Sequence, residues 1–375
     1  MTSDVLEAAE GLGACGAEHA ERSERDRSLA PEVAVELAAS PIPSMLVPKA
    51  LGGRERSPGE MVEALAMIAR SDGSTAWCAM VAATSGLVSA YLDPDYAREA
   101  FAPPAVGGGV YAPMGRARLD GGDYVVSGRW PFASGSKHAT TLMGGAIVRA
   151  DAGPTVRAMV FPAAEAAVHD TWETTGLRGT GSHDIEVAEL RVPVGHSASL
   201  AGDRPRHDGP LYAFPPFGLL ALGVAGVAMG IANGAIQDLT ELAAAKKPGG
   251  SKRTLAERSG IQAAVAHAEA LVGSARAYVV EAIGEAEEAA ASGGDLGVAE
   301  RSRLRLAATH GTQTAADAVD LMFEAGGGTA IYARSPLERR FRDIHTAKAH
   351  MMVAPASLEL VGRIRLGLET DTSQL

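Results

Sequence analysis

The segment from Phe217 to Ile236 (FGLLALGVAGVAMGIANGAI) constrains the fold more than any other part of the sequence. It is about as long and as apolar as a membrane-spanning helix, and glycines recur at every fourth position, at Gly226, Gly230 and Gly234. Such spacing lets a neighbouring helix approach closely, in a bilayer or in a protein core. Only one such segment occurs, no basic cluster immediately precedes it, and Asn233 lies near its end. We therefore predict the buried central helix of a large bundle, not a membrane span.

Composition excludes several classes of protein. The 375 residues are 46% hydrophobic and 21% charged, as in ordinary globular chains, and the net charge of −11 disfavours nucleic acid as the main partner. Two cysteines, Cys15 and Cys78, are too few for a disulfide framework or a cysteine-rich zinc site. Asp4, Glu7 and Glu10 interrupt any basic-then-apolar signal pattern. We expect a cytoplasmic protein.

The periodicity of apolar residues changes twice along the chain. In the first part Pro58 starts an apolar face with helical spacing, and Ser74 or Thr75 can cap the helix that follows. The second part has β-branched and aromatic runs separated by Gly and Pro, which predicts a small antiparallel sheet. The predicted domains are an N-terminal helical domain (1–105), a β domain (106–205) and a C-terminal helical bundle (206–375).

Helical signals fill the third part and predict a four-helix bundle. Each predicted helix is long, with apolar residues on one side and charged residues on the other. After the glycine-rich helix they are Thr254–Ala291, Glu300–Ala325 and Ser335–Leu368, with breaks at Gly293-Gly294 and Gly326–Gly328. The fold class is therefore α+β, with helices, a small sheet and a helical bundle in that order.

Three motifs occur in the order found in a known family. They are Gly128–Gly135 (GRWPFASG), Trp172–Ser182 (WETTGLRGTGS) and Pro336–Asp343 (PLERRFRD). With the order of domains, they resemble the acyl-CoA dehydrogenase superfamily over about residues 60 to 355. The first motif is similar to the strand that lines the flavin ring, the second to a turn further along that domain, and the third to the helix after the flavin-binding glycine turn. The resemblance implies the same fold and a flavin cofactor.

Two reactions compete within that superfamily. Many acyl-CoA dehydrogenases carry a glutamate base two residues before the proline that matches Pro336, and here that position holds Arg334. A guanidinium keeps its proton near neutral pH, so it cannot act as this base. Some dehydrogenases place the base on another helix, so an FAD-dependent desaturase acting on a thioester stays as the alternative. A relative that has lost its chemistry and serves as a scaffold is a third hypothesis.

A histidine favours the other branch, the two-component flavin-dependent monooxygenases (group D). Some of these enzymes have a histidine seven residues after an Arg-Asp pair, and here Arg342-Asp343 is followed by His350. On a helix His345 and His350 would lie about 140° apart, so both need not face one ligand. The resemblance implies that His350 holds or deprotonates the substrate, whereas a polar-face histidine is the purely structural alternative.

Ser134 is the candidate contact to the reactive edge of the flavin. In these monooxygenases a hydroxyl at this place lies close to flavin N5 and C4a. The resemblance implies a C4a-hydroperoxyflavin, which persists only where water is excluded and N5 is hydrogen-bonded. It also implies cofactor contacts by Phe132, Ala133 and Ser136. Because Ser and Gly are common turn residues, a plain turn role for Ser134 and Ser136 stays open.

More distant residues are candidates for the rest of the cofactor. The resemblance makes Gly326, Gly327 and Gly328 the approach point for the ribityl or phosphate part of a flavin bound by a neighbouring subunit. Arg253 can supply positive charge to that phosphate. A solvated loop cation is an equally good interpretation of Arg253.

Aromatic residues are candidates for the substrate pocket. We expect Trp77, Tyr111 and Phe217 to line it, although core packing is the commoner role for a buried aromatic residue. Several monooxygenases carry a further histidine near the helix that begins with Asp72-Gly-Ser, and none occurs here between Trp77 and Gly86. The sequence therefore leaves the substrate open.

The resemblance implies an enzyme that depends on other molecules for its electrons. The chain shows neither a GxGxxG strand-turn-helix nor a phosphate-binding loop, so no nicotinamide site is visible. Neither HExxH, a cysteine pair nor a carboxylate cluster predicts a metal. We expect a homotetramer that uses O2 and reduced FMN or FAD from a separate, transiently interacting flavin reductase. Its substrate would be an aromatic or polycyclic small molecule or an amine.

Overall fold

The computed structural model describes residues 3–150, 153–292 and 295–375, and these residues form ten α-helices and one seven-stranded sheet. Five of the helices precede the sheet in the sequence and five follow it. The predicted break at Gly293-Gly294 falls outside the described residues.

Five helices precede the sheet. They span Asp4–Asp26 (α1), Pro31–Ala39 (α2), Pro58–Ser71 (α3), Gly73–Gly86 (α4) and Pro94–Phe101 (α5). Pro58 is the first residue of α3, as predicted, and Ser57 caps this helix. The predicted cap of α4 was wrong, because Asp72 rather than Ser74 or Thr75 accepts a hydrogen bond from the N–H of Thr75, at 2.7 Å. Asp72 has the extended backbone that an N-cap adopts, whereas the other two residues lie inside the first turn.

The strands form a single mixed sheet. They span Gly107–Asp120 (β1), Asp123–Ala133 (β2), Thr141–Ala150 (β3), Gly153–Pro162 (β4), Ala167–His169 (β5), His183–Pro193 (β6) and Ser197–Ala198 (β7). Their order is β5-β6-β2-β1-β3-β4-β7. The prediction of a wholly antiparallel sheet was wrong for one pair, since β1 and β3 run parallel with Gly107 opposite Thr141. The other described pairs are antiparallel.

The parallel pair determines where the turn after β2 lies. Strands β2 and β3 flank β1 and run in opposite directions, so residues 134–140 between them must cross the start of β1. A Cβ atom on Gly108 would lie 3.3 Å from the carbonyl oxygen of Ser134, so the glycine permits this close crossing. Strand propensity alone does not show which strands become neighbours, and the sequence therefore did not reveal the parallel pair.

Five helices follow the sheet. They span Pro216–Ala245 (α6), Ser259–Ala291 (α7), Val298–Gly326 (α8), Pro336–Ala347 (α9) and Ala356–Arg365 (α10). The most apolar 18-residue window of α6 is 89% buried within the protein, so α6 is a core helix, as predicted. A Cβ atom on Gly226 would lie 2.9 Å from the carbonyl oxygen of Val62, and one on Gly230 would collide with that of Ala66. The glycine spacing therefore allows α3 to pack directly against α6.

The predicted fourth bundle helix, Ser335–Leu368, is interrupted. Helices α9 and α10 are separated by residues 348–355, which form turns. Pro355 lies at the start of α10, where its missing N–H and fixed φ suit a helix start and not a helix interior. The interruption takes His350 off any helix.

Candidate active site

The end of β2 and the turn that follows it present an aromatic ring to the exterior and hydroxyls to the interior. Phe132 has a φ of 66°, which is costly for an aromatic residue, and it is 68% exposed. Ala133, Ser134 and Ser136 are buried. Ser136 donates a hydrogen bond to the carbonyl oxygen of Gly181 at 3.1 Å, which ties this turn to the loop before β6.

A line of hydrogen-bonded side chains runs inward from this turn. The indole Nε1 of Trp77 donates to the hydroxyl of Ser134 at 3.0 Å. That hydroxyl lies 2.7 Å from the hydroxyl of Ser182, which in turn lies 2.7 Å from the hydroxyl of Thr180. Thr180 donates to the carbonyl oxygen of Leu177 at 2.8 Å. We call this row of groups the hydroxyl ladder.

Trp77 also contacts the candidate histidine. The rings of Trp77 and His350 meet edge to face with centroids 5.6 Å apart. The helical spacing considered for His345 and His350 does not apply, because the helix ends between them. His345 instead lies 2.8 Å from the carboxylate of Asp320. The hydroxyl ladder together with His350 is called the indole cluster below.

The surroundings of His350 favour the neutral imidazole. Burial, and to a smaller extent the nearby positive charge of Arg305, lowers the pKa of His350 to about 4. Its Nδ1 accepts a hydrogen bond from the backbone N–H of Met352 at 3.3 Å. In a neutral imidazole with Nδ1 as acceptor, the hydrogen is on Nε2. At neutral pH His350 is therefore arranged as a hydrogen-bond donor, and acting as a base would require the other tautomer.

Two of the predicted pocket residues form a separate pair. The ring centroids of Tyr111 on β1 and Phe217 at the start of α6 are 5.1 Å apart. Phe217 is buried, and burial raises the pKa of the Tyr111 phenol. Among the described residues, no ring contact or hydrogen bond connects this pair to Trp77 or His350.

The residues predicted for the distal part of the cofactor lie near Lys246, at the end of α6. The ammonium of Lys246 donates to the carbonyl oxygen of Gly326 at 3.2 Å, and its own carbonyl oxygen accepts from the N–H of Leu255 at 2.9 Å. Arg253 lies on the exposed loop just before Leu255. Gly327 and Gly328 are also exposed. Lys246 therefore contacts both predicted segments, through its ammonium and through its carbonyl oxygen.

The position that many dehydrogenases use for their base is on an exposed loop. Arg334 lies there with its guanidinium carbon 4.8 Å from the centroid of the Tyr332 ring. Both residues line a cavity of about 290 Å³, as does Asp238 of α6. A second cavity of about 290 Å³, lined in part by Tyr278 and His310, lies between α7, α8 and α10. No residue of the indole cluster lines either cavity.

The second and third motifs contain further residues of the site that the sequence did not single out. The motif that ends at Ser182 contributes both Thr180 and Ser182 to the hydroxyl ladder. It is held by the third motif, since the N–H of Leu177 donates to the carboxylate of Asp343 at 2.6 Å. Burial raises the pKa of Asp343 to about 7. Arg305 was missed entirely, because an arginine within an amphipathic helix is typical of an exposed face.

The chain is similar to known proteins both in sequence and in fold. The family described as Acyl-CoA dehydrogenase, C-terminal domain, matches residues 222–355. The indole-3-acetate monooxygenase of Pseudomonas putida is 32% identical over 349 residues, 92% of this chain and 89% of that protein. The 3-HSA hydroxylase of Rhodococcus sp. RHA1 superposes with a TM-score of 0.93 at 22% identity, over 100% of this chain and 99% of that one.

A second solved structure contains a cofactor. XiaF from Streptomyces sp., solved with FADH2 and glycerol, superposes with a TM-score of 0.89 at 26% identity over 97% of this chain and 95% of that one. The predicted fold class is therefore confirmed, and the relatives match the monooxygenase hypothesis, not the desaturase alternative. The reduced flavin comes from a separate reductase. The chain belongs to the two-component flavin-dependent monooxygenases of the acyl-CoA dehydrogenase superfamily.

Proposed function

We propose that this chain is the oxygenase component that hydroxylates an aromatic small molecule, with Ser134 on the cofactor side and His350 on the substrate side. One observation carries this assignment. The indole of Trp77 donates to the Ser134 hydroxyl at 3.0 Å, and its ring meets the His350 ring edge to face with centroids 5.6 Å apart. Both proposed catalytic residues therefore contact the same side chain, which supports assigning them to one site.

The turn after β2 has the chemistry that a flavin ring requires. An isoalloxazine ring has two apolar faces and a polar edge, so it needs a flat apolar contact beside a hydrogen-bonding group. Phe132 offers an exposed ring, and Ser134, two residues later, is a buried hydroxyl. Ala133 and Ser136 complete the predicted cofactor contacts. When bound, a reduced flavin supplies the two electrons for oxygen activation.

We assign His350 the task of holding the substrate. Its Nε2–H is a suitable donor to an oxygen or nitrogen atom of a small molecule, and its lowered pKa keeps it neutral. Trp77, Tyr111 and Phe217 are the proposed aromatic lining. The similarity to an indole-3-acetate monooxygenase favours an aromatic substrate over an amine.

The remaining cofactor contacts are proposed to form between subunits. Gly327 and Gly328 are exposed near Lys246, as is Arg253, so a flavin phosphate from a neighbouring subunit can reach them. We propose a homotetramer in the cytoplasm that meets its reductase only transiently. Light scattering of the purified protein measures the assembly, and a monomer would contradict this part of the proposal.

Product analysis tests the activity. Purified protein would be mixed with photoreduced FMN or FAD, ¹⁸O2 and a panel of indoles, phenols and fused-ring aromatics, with simple amines as the comparison set. We expect one ¹⁸O atom in an aromatic product and none in the absence of protein. Binding of reduced flavin without any oxygenated product from the aromatic panel would contradict the proposed substrate class. Reduction of the bound oxidised flavin by an acyl thioester would instead support the desaturase.

A further inference from the structure

One order of hydrogens places a hydrogen at every contact of the hydroxyl ladder. The carbonyl oxygen of Leu177 can only accept, so the hydroxyl hydrogen of Thr180 points to it. Thr180 must then accept from Ser182, because each hydroxyl has one hydrogen. The hydrogen of Ser182 is thereby used, and Ser182 must accept from Ser134. The indole of Trp77, which only donates, completes the order at Ser134.

This order determines what Ser134 can offer to a ligand. A hydroxyl has one donor and two acceptor positions. In Ser134 the donor is used by Ser182 and one acceptor position by Trp77. Only a lone pair is left. An unconstrained serine rotates its hydrogen to suit any partner, whereas Ser134 can only accept.

We propose that Trp77, Ser182 and Thr180 are positioning residues that hold Ser134 as a hydrogen-bond acceptor, so that the site prefers reduced over oxidised flavin. The inference rests on the proposed function, in which Ser134 lies beside flavin N5. Reduced flavin carries a hydrogen on N5, whereas oxidised flavin presents a lone pair there. Reduced flavin gains a hydrogen bond from the acceptor, and oxidised flavin meets a second lone pair. Such a preference suits an enzyme that receives its flavin already reduced.

A purely structural role for the ladder predicts a different result. The ladder also connects α4 to the loop before β6, so breaking it can loosen the turn that carries Ser134. Loosening weakens the binding of both redox forms alike. The ratio of the two dissociation constants separates these roles, because only a change in the hydrogen available to Ser134 alters it.

Anaerobic calorimetry of the full-length chain measures this ratio. FMN and FAD would each be titrated in oxidised and in dithionite-reduced form. In Ser182→Ala the hydrogen of Ser134 is released and can turn to oxidised N5. We expect the preference for reduced flavin to fall by about threefold to tenfold, the range for one hydrogen bond. Ser182→Thr keeps a hydroxyl and is expected to restore the wild-type ratio.

Two further variants guard against a folding artefact. In Thr180→Val, Ser182 loses its acceptor and can donate to Ser134, so the preference falls in the same direction by a smaller factor. Thr141→Val removes an equally buried hydroxyl that donates to the carbonyl oxygen of Ala100 at 2.8 Å, outside the ladder, and is expected to leave the ratio unchanged. Thermal unfolding confirms that each variant is folded.

The possible results are distinguishable. A wild-type protein that binds neither FMN nor FAD in either redox state overturns the proposed function and this inference together. Wild-type binding with an unchanged ratio in both Ser182→Ala and Thr180→Val overturns the inference alone. A changed ratio that Ser182→Thr restores supports it.

Discussion

Ser134 and His350, the two candidate residues beside Trp77, are each held in one hydrogen-bonding state, but by different physical means. On the Ser134 side, bonds of 2.7 to 3.0 Å fix every hydroxyl hydrogen as far as the carbonyl oxygen of Leu177. On the His350 side the ring centroids of Trp77 and His350 are 5.6 Å apart, and the N–H of Met352 donates to His350 Nδ1 at 3.3 Å. The charge state of His350 depends on burial and on the cation of Arg305.

This difference teaches where the site can respond to conditions. Hydroxyls do not titrate in the physiological range, so the ladder side keeps its hydrogen order at any pH at which the protein is folded. An imidazole does titrate, so the His350 side can change with pH and with neighbouring charge. The hydrogen-bonding state of Ser134, on the cofactor side, therefore depends on hydrogen-bond geometry. That of His350, on the substrate side, depends on electrostatics. Substitutions on the two sides should have different signatures.

The largest expected effect is that of His350→Ala. Removing the Nε2–H donor should lower product formation by about a hundredfold, the lower range for a positioned proton donor. Binding of reduced flavin should stay near the wild-type value, because the ladder is intact. Product would be measured by chromatography and binding by anaerobic titration. His345→Ala is the matched control, since that histidine contacts Asp320 instead.

The contrast between the two sides would be lost if His350→Ala weakened flavin binding as strongly as it lowered product formation. In that case His350 would belong to the cofactor side. A control variant His345→Ala with equally low activity would show that disruption of α9, and not loss of the donor, causes the effect.

Trp77 belongs to both sides, and two substitutions separate its roles. Trp77→Phe keeps an aromatic ring near His350 and removes the indole donor, so we expect the free energy of unfolding to fall by about 1 kcal/mol. Trp77→Ala removes both contacts of a side chain that is 7% exposed, and about 3 to 5 kcal/mol is expected. Urea unfolding measures both.

Trp130→Phe is the control for the loss of an indole donor. Trp130 donates to the carbonyl oxygen of Gly145 at 2.8 Å, outside the hydroxyl ladder, and is fully buried. Trp130→Phe should lose about as much stability as Trp77→Phe while keeping the wild-type preference for reduced flavin. Equal stabilities of wild type and Trp77→Phe would contradict the bond to Ser134.

The pH dependence of the substrate side can be shifted through Arg305. Burial lowers the pKa of His350 to about 4, below its ordinary value of about 6.5. The neutral, active form is therefore present at neutral pH, and activity is lost as the pH falls through about 4. Arg305→Met removes the positive charge, which raises the pKa of His350, so the acid limb of kcat/KM should move to higher pH.

Arg303→Met is the matched control on the same helix. Arg303 pairs with the carboxylate of Glu285 at 2.7 Å, and its charge is not among those that lower the pKa of His350. The acid limb of kcat/KM in Arg303→Met should coincide with that of the wild type. An acid limb that does not move in Arg305→Met would show that burial alone keeps His350 neutral.

Sequence motifs pointed to the two ends of the candidate site but not to the groups between them. Ser134 and His350 lie in motifs with a family resemblance, and the structure brings both to Trp77. The order of the ladder depends on a turn that crosses β1, and this crossing follows from the parallel pairing of β1 with β3. Pairing between strands distant in sequence leaves no local pattern, so the sequence pointed to Ser134 but not to its partners Ser182 and Thr180.

The fold shows the same division between local and non-local signals. The glycine spacing of α6 predicts a close helix neighbour, and α3 is that neighbour, because the contact requires only small residues at one face. The interruption before α10 was missed, although Pro355 lies within the predicted helix Ser335–Leu368 and is a local signal against a helix interior.

The smallest expected effect is that of Arg253, whose charge would act on the flavin phosphate from an exposed position. It lies on an exposed loop, so any interaction with a flavin phosphate is screened by solvent and salt. Arg253→Ala should weaken binding of reduced FMN by about threefold at low salt, and the difference should vanish near 1 M salt. Lys252→Ala, on the same exposed loop, is the control for general charge and should have less effect. If both variants bind FMN like the wild type at low salt, Arg253 is a solvated loop cation. If instead the loss of affinity persists at high salt, the neighbouring subunit buries this arginine against the cofactor. The contact would then be shielded from salt, as the buried bonds of the hydroxyl ladder are.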